Sequence, residues 1–365
     1  MSREHGARPP LVVLGAGPVG LFAALRAKQL GLSVEVVTDR LPTAGDPCRL
    51  EAVPAQMIAL LVEFGVHPRL LGVDRTHGRR LTQWRSREVI ATDAPASVHI
   101  SRPALEVALL SLADRSGVRI RAVGNSAATA IAAAVDAGSL ILDSSGRSAA
   151  TAARVARSEV PLVCRTFTQA AGVGPDLDGF AVAAGPEGYA YRLGNSQRVT
   201  LGVVGHGGLL RGSAESVVEN IRAFAPWIVE GIDSEQLAPG CAGAASLQWC
   251  EVASEGIQPI GDASIARDAL SSQGLAIGIS DALRAVSEAE KQKKFDLEPL
   301  ASQLAHHRKR VGDLIAESPF GSAPQWRGYL EFLRNHAPID EFKANAVATW
   351  PPAFKALSPR SAGPA

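Results

Sequence analysis

The sequence predicts an α/β fold, in which a domain with a parallel sheet contains an inserted antiparallel β-sheet domain and is followed by C-terminal helices. Three observations support this prediction. The apolar run Leu11–Leu14 is followed at once by glycines at G-x-G-x-x-G spacing, which is typical of a nucleotide-binding βαβ unit. Residues 162–204 form short alternating segments with glycine-rich turns, as antiparallel strands do. Residues 299–317 and 326–335 are predicted to be helices.

Each glycine of the first motif has a separate role in such a unit. Gly15 permits the tight turn, Gly17 lets the backbone approach a pyrophosphate, and Gly20 lets the next helix pack closely on the strand. A helix predicted from Pro18 to Leu30 directs its N-terminal N–H groups at the phosphates. A second strand over Ser33–Val37 completes the unit. An alternative is a tight turn in some other α/β fold.

The end of the second strand departs from the usual pattern. An acid normally follows this strand and binds the ribose hydroxyls, but the corresponding residue is Thr38, and Asp39 comes next. Asp39 can serve after a small shift, or Thr38 can bind more weakly, and the sequence leaves both open.

Composition excludes several classes of function. The 365 residues carry a formal net charge of +1, so nothing favours nucleic acid or an anionic membrane as a partner. The four cysteines form no C-x-x-C pair, which makes a metal site or a disulfide framework unexpected. A reduced, cytoplasmic protein is the default expectation. Arg3, Arg8 and the apolar run after them resemble a secretory signal, but the glycine spacing fits a nucleotide-binding unit better.

The remaining segments complete the predicted domains. A helix is expected over Ala55–Phe64 and another from Ser101 to Ser116, with Ser101 as its N-cap. Strands are expected over Val118–Val123 and Ser139–Asp143, whereas Ala127–Ala137 fits either a helix or a strand. The predicted bounds are 1–68, 100–161 and 245–296 for the nucleotide-binding domain, 69–99 and 162–244 for the β-sheet substrate domain, 297–350 for the helical segment and 351–365 for a flexible tail.

A second motif follows near residue 260. Gly261-Asp262 ends an apolar segment, and a helix without bulky side chains at its start begins at Gly274. The Asp262 carboxylate can accept a hydrogen bond from a sugar-like hydroxyl, and the helix N-terminus can bind a phosphate or an electron-rich ring edge. An ordinary strand–turn–helix connection with a chance Gly-Asp pair remains the alternative.

The two motifs together resemble the FAD-dependent monooxygenases and halogenases with the hydroxybenzoate-hydroxylase type of fold, which have a Rossmann-like, glutathione-reductase-like FAD-binding domain. Arg49, the R-x-x-L-x-x-x-L segment from Arg102, and Asp143–Arg147 match further motifs of these enzymes. The resemblance implies that Asp262 binds the ribityl chain and that the helix from Gly274 lies against the flavin. The FAD-binding residues that it implies are Gly15, Gly17, Pro18, Val19, Gly20, Thr38, Asp39, Arg40, Arg49, Arg102, Asp143, Gly146, Gly261, Asp262, Gln273, Gly274 and Leu275.

The segment Gly188–Gly194 indicates the subgroup. It is similar in layout to the Gly-Trp-x-Trp-x-Ile-Pro segment of the tryptophan-halogenase-like branch, but tyrosines replace both tryptophans. Those halogenases also need a lysine near the substrate, and this sequence has none between Lys28 and Lys291. Halogenation is therefore not expected. The sequence looks most like the flavoprotein maturases of the lysine-oxidase and glycine-oxidase type, whose partners are amino-acid oxidases with a cysteine tryptophylquinone cofactor.

This resemblance implies a monooxygenase reaction. FAD is reduced by NAD(P)H or by reduced flavin from a separate flavin reductase, reacts with O₂ to a flavin hydroperoxide, and transfers oxygen to an aromatic ring, here a tryptophan of the precursor oxidase. A small aromatic substrate, or a non-catalytic flavoprotein chaperone of the precursor, are the alternatives. We expect a monomer or weak dimer. The candidate substrate-site residues are Tyr189, Tyr191, Arg192, Glu51 and Cys48, with His206 treated as a loop residue.

Overall fold

The computed structural model describes residues 9–335 apart from residues 47, 125–126, 172–178, 253–255, 272 and 292–297. The predicted flexible tail, 351–365, lies outside the described residues. The strands are β1 (Leu11–Leu14), β2 (Val34–Thr38), β3 (Leu50–Pro54), β4 (His77–Gln83), β5 (Ile90–Ser101), β6 (Arg119–Ala122), β7 (Ile141–Asp143), β8 (Ala152–Arg157), β9 (Val163–Ala170), β10 (Phe180–Gly185), β11 (Gly188–Gly194), β12 (Arg198–Gly205), β13 (Ala238–Ala244), β14 (Gln248–Val252), β15 (Ile257–Pro259) and β16 (Ile265–Ala266).

Helices cover both sides of these strands. They are α1 (Pro18–Gln29), α2 (Ala55–Glu63), α3 (Arg102–Arg115), α4 (Ala127–Asp136), α5 (Gly207–Leu210), α6 (Ala214–Arg222), α7 (Gly274–Glu290), α8 (Glu298–Ala316) and α9 (Pro324–Asn335). The segment around Ala127, which fits either type of element by sequence, is therefore a helix.

The first sheet is parallel, with strand order β15-β7-β1-β2-β6. Successive side chains of β1 point to opposite faces of the sheet, and all four are buried because both faces are covered. Val13 packs in the core cluster that contains α1, α3 and α7, whereas Val12 and Leu14 pack with Ile131 of α4 on the other face. Both faces of the sheet are thus covered, as parallel sheets require.

The second sheet has the order β13-β9-β12-β11-β10-β4-β5-β3. Its neighbouring strands are antiparallel except for β4 and β10, which pair in parallel. One face packs against α6, and the other packs against α8 and α9, where Trp326 is buried. The Trp326 indole nitrogen donates to the Gly185 carbonyl at 3.0 Å, which attaches α9 to β10. A small third sheet has the order β16-β14-β8.

These sheets confirm the predicted fold class, an α/β domain with an inserted, largely antiparallel sheet and helices after it. The exact domain bounds stay a prediction. One detail differs from the expected division, because β3 from the first segment pairs with β5 in the second sheet. Within the part of the chain that the structure describes, no helix is both long and apolar enough to cross a membrane.

Candidate functional site

A cleft of about 740 Å³ opens at the carboxyl ends of β1 and β2 and continues to the second sheet. Ligands of open α/β sheets bind at this edge, outside the ends of the parallel strands. The lining residues come from the turn after β1, the N-termini of α1 and α7, the start of α3, and strands β3, β9, β10, β11 and β13.

The turn after β1 has the geometry that its glycines predict. Gly15 has φ +99°, and a Cβ atom added at Gly20 would lie 2.2 Å from the Gly15 carbonyl oxygen, so α1 packs directly on the turn. Gly17 differs, because no atom lies within 4 Å of a Cβ added there. Gly17, Pro18 and Val19 line the cleft. The turn therefore presents open backbone and the N-terminus of α1, where an anion is favoured.

Thr38 and Asp39 at the end of β2 both line the cleft, as does Arg40. The buried Thr38 hydroxyl donates to the Arg40 carbonyl at 2.8 Å. Asp39 is exposed. The Asp39 carboxylate accepts from the Arg40 backbone nitrogen at 2.8 Å through Oδ1, and its charge and exposure let it accept a further hydrogen bond from a ligand hydroxyl.

Two predicted arginines meet on a single carboxylate. Glu51 accepts from Arg49 Nε at 3.1 Å and from Arg102 Nη1 at 3.1 Å, and Arg102 also donates to Glu106 at 2.6 Å. Burial alone would raise the pKa of the Glu51 carboxyl, but the charges of Arg102 and Arg49 outweigh it and hold this pKa below its ordinary value. Glu51, expected as a substrate-site residue, thus keeps both guanidinium groups in place on the cleft wall.

The opposite wall contains Asp262, Gln273, Gly274 and Leu275. Burial raises the pKa of the Asp262 carboxyl against the opposing charges of nearby arginines. No hydrogen bond reaches this carboxylate from a described side chain, so it can accept one from a bound hydroxyl. Gly274 begins α7 with no side chain in the way, and the helix N-terminus faces the cleft.

Two predicted cofactor residues lie behind the cleft wall. The buried Asp143 carboxylate accepts from the backbone nitrogen atoms of Ser145 and Thr151, both at 2.9 Å, and so holds the turn that includes the cleft-lining Gly146. Gly261 has φ +58° and packs against Val19. Neither Asp143 nor Gly261 is among the described residues that line the cleft, and each shapes its wall from behind. Their direct contact with a cofactor stays a prediction.

The second sheet contributes an aromatic wall. Tyr191 and Phe180 line the cleft with their rings stacked at a centroid distance of 6.2 Å and an angle of 26°. The Tyr191 hydroxyl lies 3.9 Å from Cys164 Sγ. Burial raises the pKa of Tyr191 well above its ordinary value and that of Cys164 to about 11, so both groups stay protonated. Gly202 of β12 leaves the room for this ring, since a Cβ atom there would lie 2.0 Å from Tyr191 Cζ.

Other residues expected around the substrate lie elsewhere. Tyr189 is buried away from the cleft, with its ring edge-to-face on Trp84 at 5.8 Å. Arg192 projects from the other face of β11, where its Nη1 donates to the Glu230 carbonyl at 2.7 Å. Cys48 lies beside Ser101, with 3.9 Å between Sγ and Oγ. Along with His206, the residues Tyr189, Arg192 and Cys48 are absent from the described cleft lining. Their role at a substrate site stays a prediction, which this placement does not support.

The sequence did not single out several cleft-lining residues as site candidates. Arg147, Arg267, Asp268, Cys164 and Phe180 all line it. Arg147 was quoted only within a motif, although its guanidinium donates to the Ser246 carbonyl at 2.7 Å and to the Arg267 carbonyl at 3.0 Å. Arg147 thereby fixes two loops of the cleft wall. Its position one residue after Gly146 was the only available signal.

The described residues contain no cluster of three or more histidine, cysteine or acidic side chains that could hold a metal ion. The arrangement suits an elongated ligand with an anionic segment at the glycine turn, hydroxyl groups near Asp39 and Asp262, and a flat ring near α7.

No protein-family model matches the sequence, and no curated protein matches it either. Solved structures do. The peptidyl tryptophan dihydroxylase QhpG, essential for tryptophylquinone cofactor biogenesis, is 19% identical, with a TM-score of 0.62 over 88% of this chain and 79% of that chain. The myxobacterial chondrochloren halogenase CndH is 14% identical, with a TM-score of 0.67 over 88% and 85% of the two chains. The flavin-dependent brominase Bmp2 is also 14% identical, with a TM-score of 0.65 over 88% and 89%.

The chain has the fold of the flavin-dependent halogenases. QhpG has it too, so one fold carries different reactions, and the residues of the cleft must decide between them. In this chain the described cleft-lining residues include five arginines, Arg40, Arg49, Arg102, Arg147 and Arg267, and no lysine.

Proposed function

We propose that the chain is an FAD-dependent monooxygenase that hydroxylates a tryptophan side chain of a precursor protein during tryptophylquinone cofactor formation. One observation carries most of the argument: a single cleft joins the open glycine turn at Gly17 to the aromatic wall of Phe180 and Tyr191. The similarity to QhpG, described as a peptidyl tryptophan dihydroxylase, supports the substrate class.

The residues present fit FAD. The open space over Gly17 and the N-terminus of α1 suit the pyrophosphate. The carboxylates of Asp39 and Asp262 suit the ribose and ribityl hydroxyls. The N-terminus of α7 at Gly274 suits the flavin ring, because its N–H groups stabilise negative charge on the reduced form. When bound, FAD supplies the activation of O₂, for which the side chains of the cleft have no equivalent.

The protein residues bind and orient the substrate. Phe180 and Tyr191 offer ring faces on which an indole can stack. Tyr191 and Cys164 stay protonated, so neither acts as a base, and the Tyr191 hydroxyl can donate a hydrogen bond to the substrate. Arg49 and Arg102, held by Glu51, present guanidinium N–H donors on the cleft wall.

The reaction balances as an ordinary monooxygenation. A ring C–H bond becomes C–OH with one oxygen atom of O₂, and the other atom leaves as water. Two electrons come from NAD(P)H or from reduced flavin delivered by a separate reductase. Because the described cleft wall has no lysine that could position hypohalous acid, we propose hydroxylation rather than halogenation.

The test combines a flavin assay with mass spectrometry. The purified protein is titrated with FAD, and the loaded protein is then incubated with a tryptophylquinone oxidase precursor, reductant and O₂. We expect FAD to bind and the tryptophan residue of the precursor to gain the mass of one or two oxygen atoms. A precursor with tryptophan replaced by phenylalanine is the matched control.

Other outcomes contradict the proposal in distinguishable ways. Bromination of the precursor in the presence of bromide would show a halogenase. Oxygenation of free indoles or phenols, without any change in the precursor, would show a small-molecule hydroxylase. A tight complex with the precursor that consumes no reductant would show a chaperone.

A further inference from the structure

A column of contacts, formed by Tyr191, Phe180 and Arg80, leads from the cleft to the protein surface. Arg80 of β4 places its guanidinium carbon 5.4 Å from the centroid of the Phe180 ring, which is within the range of a cation–π contact. Phe180 in turn stacks on Tyr191 inside the cleft. Part of Arg80 remains exposed to solvent, while the Phe180 ring covers one side of its guanidinium group. The column therefore begins at the surface with a positive charge and ends at the proposed indole site.

A second arginine reaches the cleft from the opposite wall. Arg310 of α8 donates from Nη1 to Gln273 Oε1 at 2.9 Å, and Gln273 lines the cleft directly before α7. Arg80 and Arg310 thus flank the cleft from the sheet side and the helix side. Each is bound to a cleft-lining residue, Phe180 or Gln273, which fixes its position.

Among the described residues, no carboxylate forms an ion pair with Arg80 or Arg310. Partial burial of its guanidinium group and the charge of Arg310 lower the pKa of Arg80. Two like charges held near each other favour an anion between them, since a guanidinium group recognises a carboxylate through paired N–H donors.

We propose that Arg80 and Arg310 form a subsite for an acidic residue, aspartate or glutamate, that is adjacent to the target tryptophan in the substrate polypeptide. This inference rests on the proposed function. An indole that stacks on Phe180 and Tyr191 leaves the polypeptide backbone at the level of Arg80, so neighbouring residues of the substrate meet the two guanidinium groups. The subsite selects a tryptophan within an acidic sequence and disfavours one within a basic sequence.

The experiment measures binding separately from turnover. Two dye-labelled peptides are compared on the FAD-loaded protein by fluorescence anisotropy: both have the same central tryptophan, flanked by aspartates in one and by asparagines in the other. We expect the wild-type protein to bind the acidic peptide about tenfold more tightly, the effect of one charge-assisted hydrogen bond of ordinary strength. This preference should weaken as NaCl is raised.

Variants assign the preference to the two arginines. R80Q and R310Q should each bind the acidic peptide nearly as weakly as the neutral one, and R80K should retain part of the preference. R79Q is the matched control, because Arg79 is the neighbouring residue of β4, is also exposed, and projects from the other face of the strand. FAD titration of each variant verifies that the cofactor site is intact.

Each result decides the proposal. Equal binding of the two peptides, or no measurable binding of either, would overturn it. An R79Q variant that loses as much of the preference for the acidic peptide as R80Q does would also overturn it. An Arg80-dependent preference for free tryptophan over tryptophan amide, without a preference between the peptides, would assign the subsite to a small amino acid and overturn the polypeptide form. An acidic preference without oxygen transfer would support the subsite while removing the proposed reaction.

Discussion

Alanine at Gly17 and alanine at Gly20 should have opposite effects, although the two glycines belong to one turn. Gly17 has φ −73° and ψ 172°, a conformation that alanine adopts freely, and its added Cβ meets no atom within 4 Å. G17A should therefore raise the free energy of unfolding of the cofactor-free protein by about 0.4–1 kcal/mol, because alanine reduces the entropy of the unfolded chain. G20A should lower it by about 1–3 kcal/mol, since its Cβ would lie 2.2 Å from the Gly15 carbonyl oxygen.

For FAD affinity the order is reversed: G17A should lower the affinity more than G20A does, although G17A is the more stable variant. The methyl group of G17A occupies the space proposed for the pyrophosphate, and overpacking of about 1–3 kcal/mol corresponds to an affinity lowered roughly 5- to 150-fold. Urea denaturation without FAD gives the stabilities, and quenching of FAD fluorescence gives the affinities. A G17A variant that binds FAD as tightly as wild type would refute the placement of the phosphates at this turn. A G17A variant as unstable as G20A would refute the inference that the space is open.

Three further substitutions test other parts of the structure. G202A should push the Tyr191 ring off β12 and lower substrate turnover at least tenfold, with FAD affinity unchanged, as steady-state kinetics and FAD titration would show. E51Q should lower the free energy of unfolding by about 1–3 kcal/mol, and the loss should vanish in acid, because the lowered pKa of Glu51 makes its contribution present above pH 4.5 and absent below the folded-state value. Burial lowers the pKa of His99 from 6.5 to about 4, so the folded protein keeps this side chain neutral where the unfolded chain binds a proton. The free energy of unfolding should therefore fall by about 3 kcal/mol as the pH is lowered from above 6.5 to 4. Urea denaturation of H99Q across this range should show a flatter pH dependence than wild type; an identical slope would contradict the assignment to His99.

The parts of the site that the sequence predicted are those built by a short stretch of chain. The glycine turn depends on residues 15–20 and on the strand and helix beside them, so spacing alone predicts its geometry. Arg49 and Arg102 were each predicted from separate motifs. Their connection through Glu51 was not, because it depends on the pairing of β3 with β5, which places Glu51 near the start of α3.

The misplaced residues show where local patterns are insufficient. Alternation along β11 puts Tyr191 and Arg192 on opposite faces, so only one of them could face the cleft. Tyr189 shares a face with Tyr191, but Trp84 and Trp326 from distant parts of the chain cover it. No periodicity within residues 188–194 contains that information. The Arg80–Phe180 contact depends in the same way on the parallel pairing of β4 with β10.

The order of strands in the parallel sheet has a consequence for biosynthesis. β1 lies at the centre of the sheet and leaves the ribosome before the other strands of this sheet, whereas β15 occupies the edge and emerges more than two hundred residues later. A nascent chain that ends before α7 has the glycine turn but lacks the wall that faces it. Ligand capture between the two walls is thus a late event of synthesis. A ligand that binds only the completed protein stabilises it against unfolding, and so against the proteases that degrade unfolded protein.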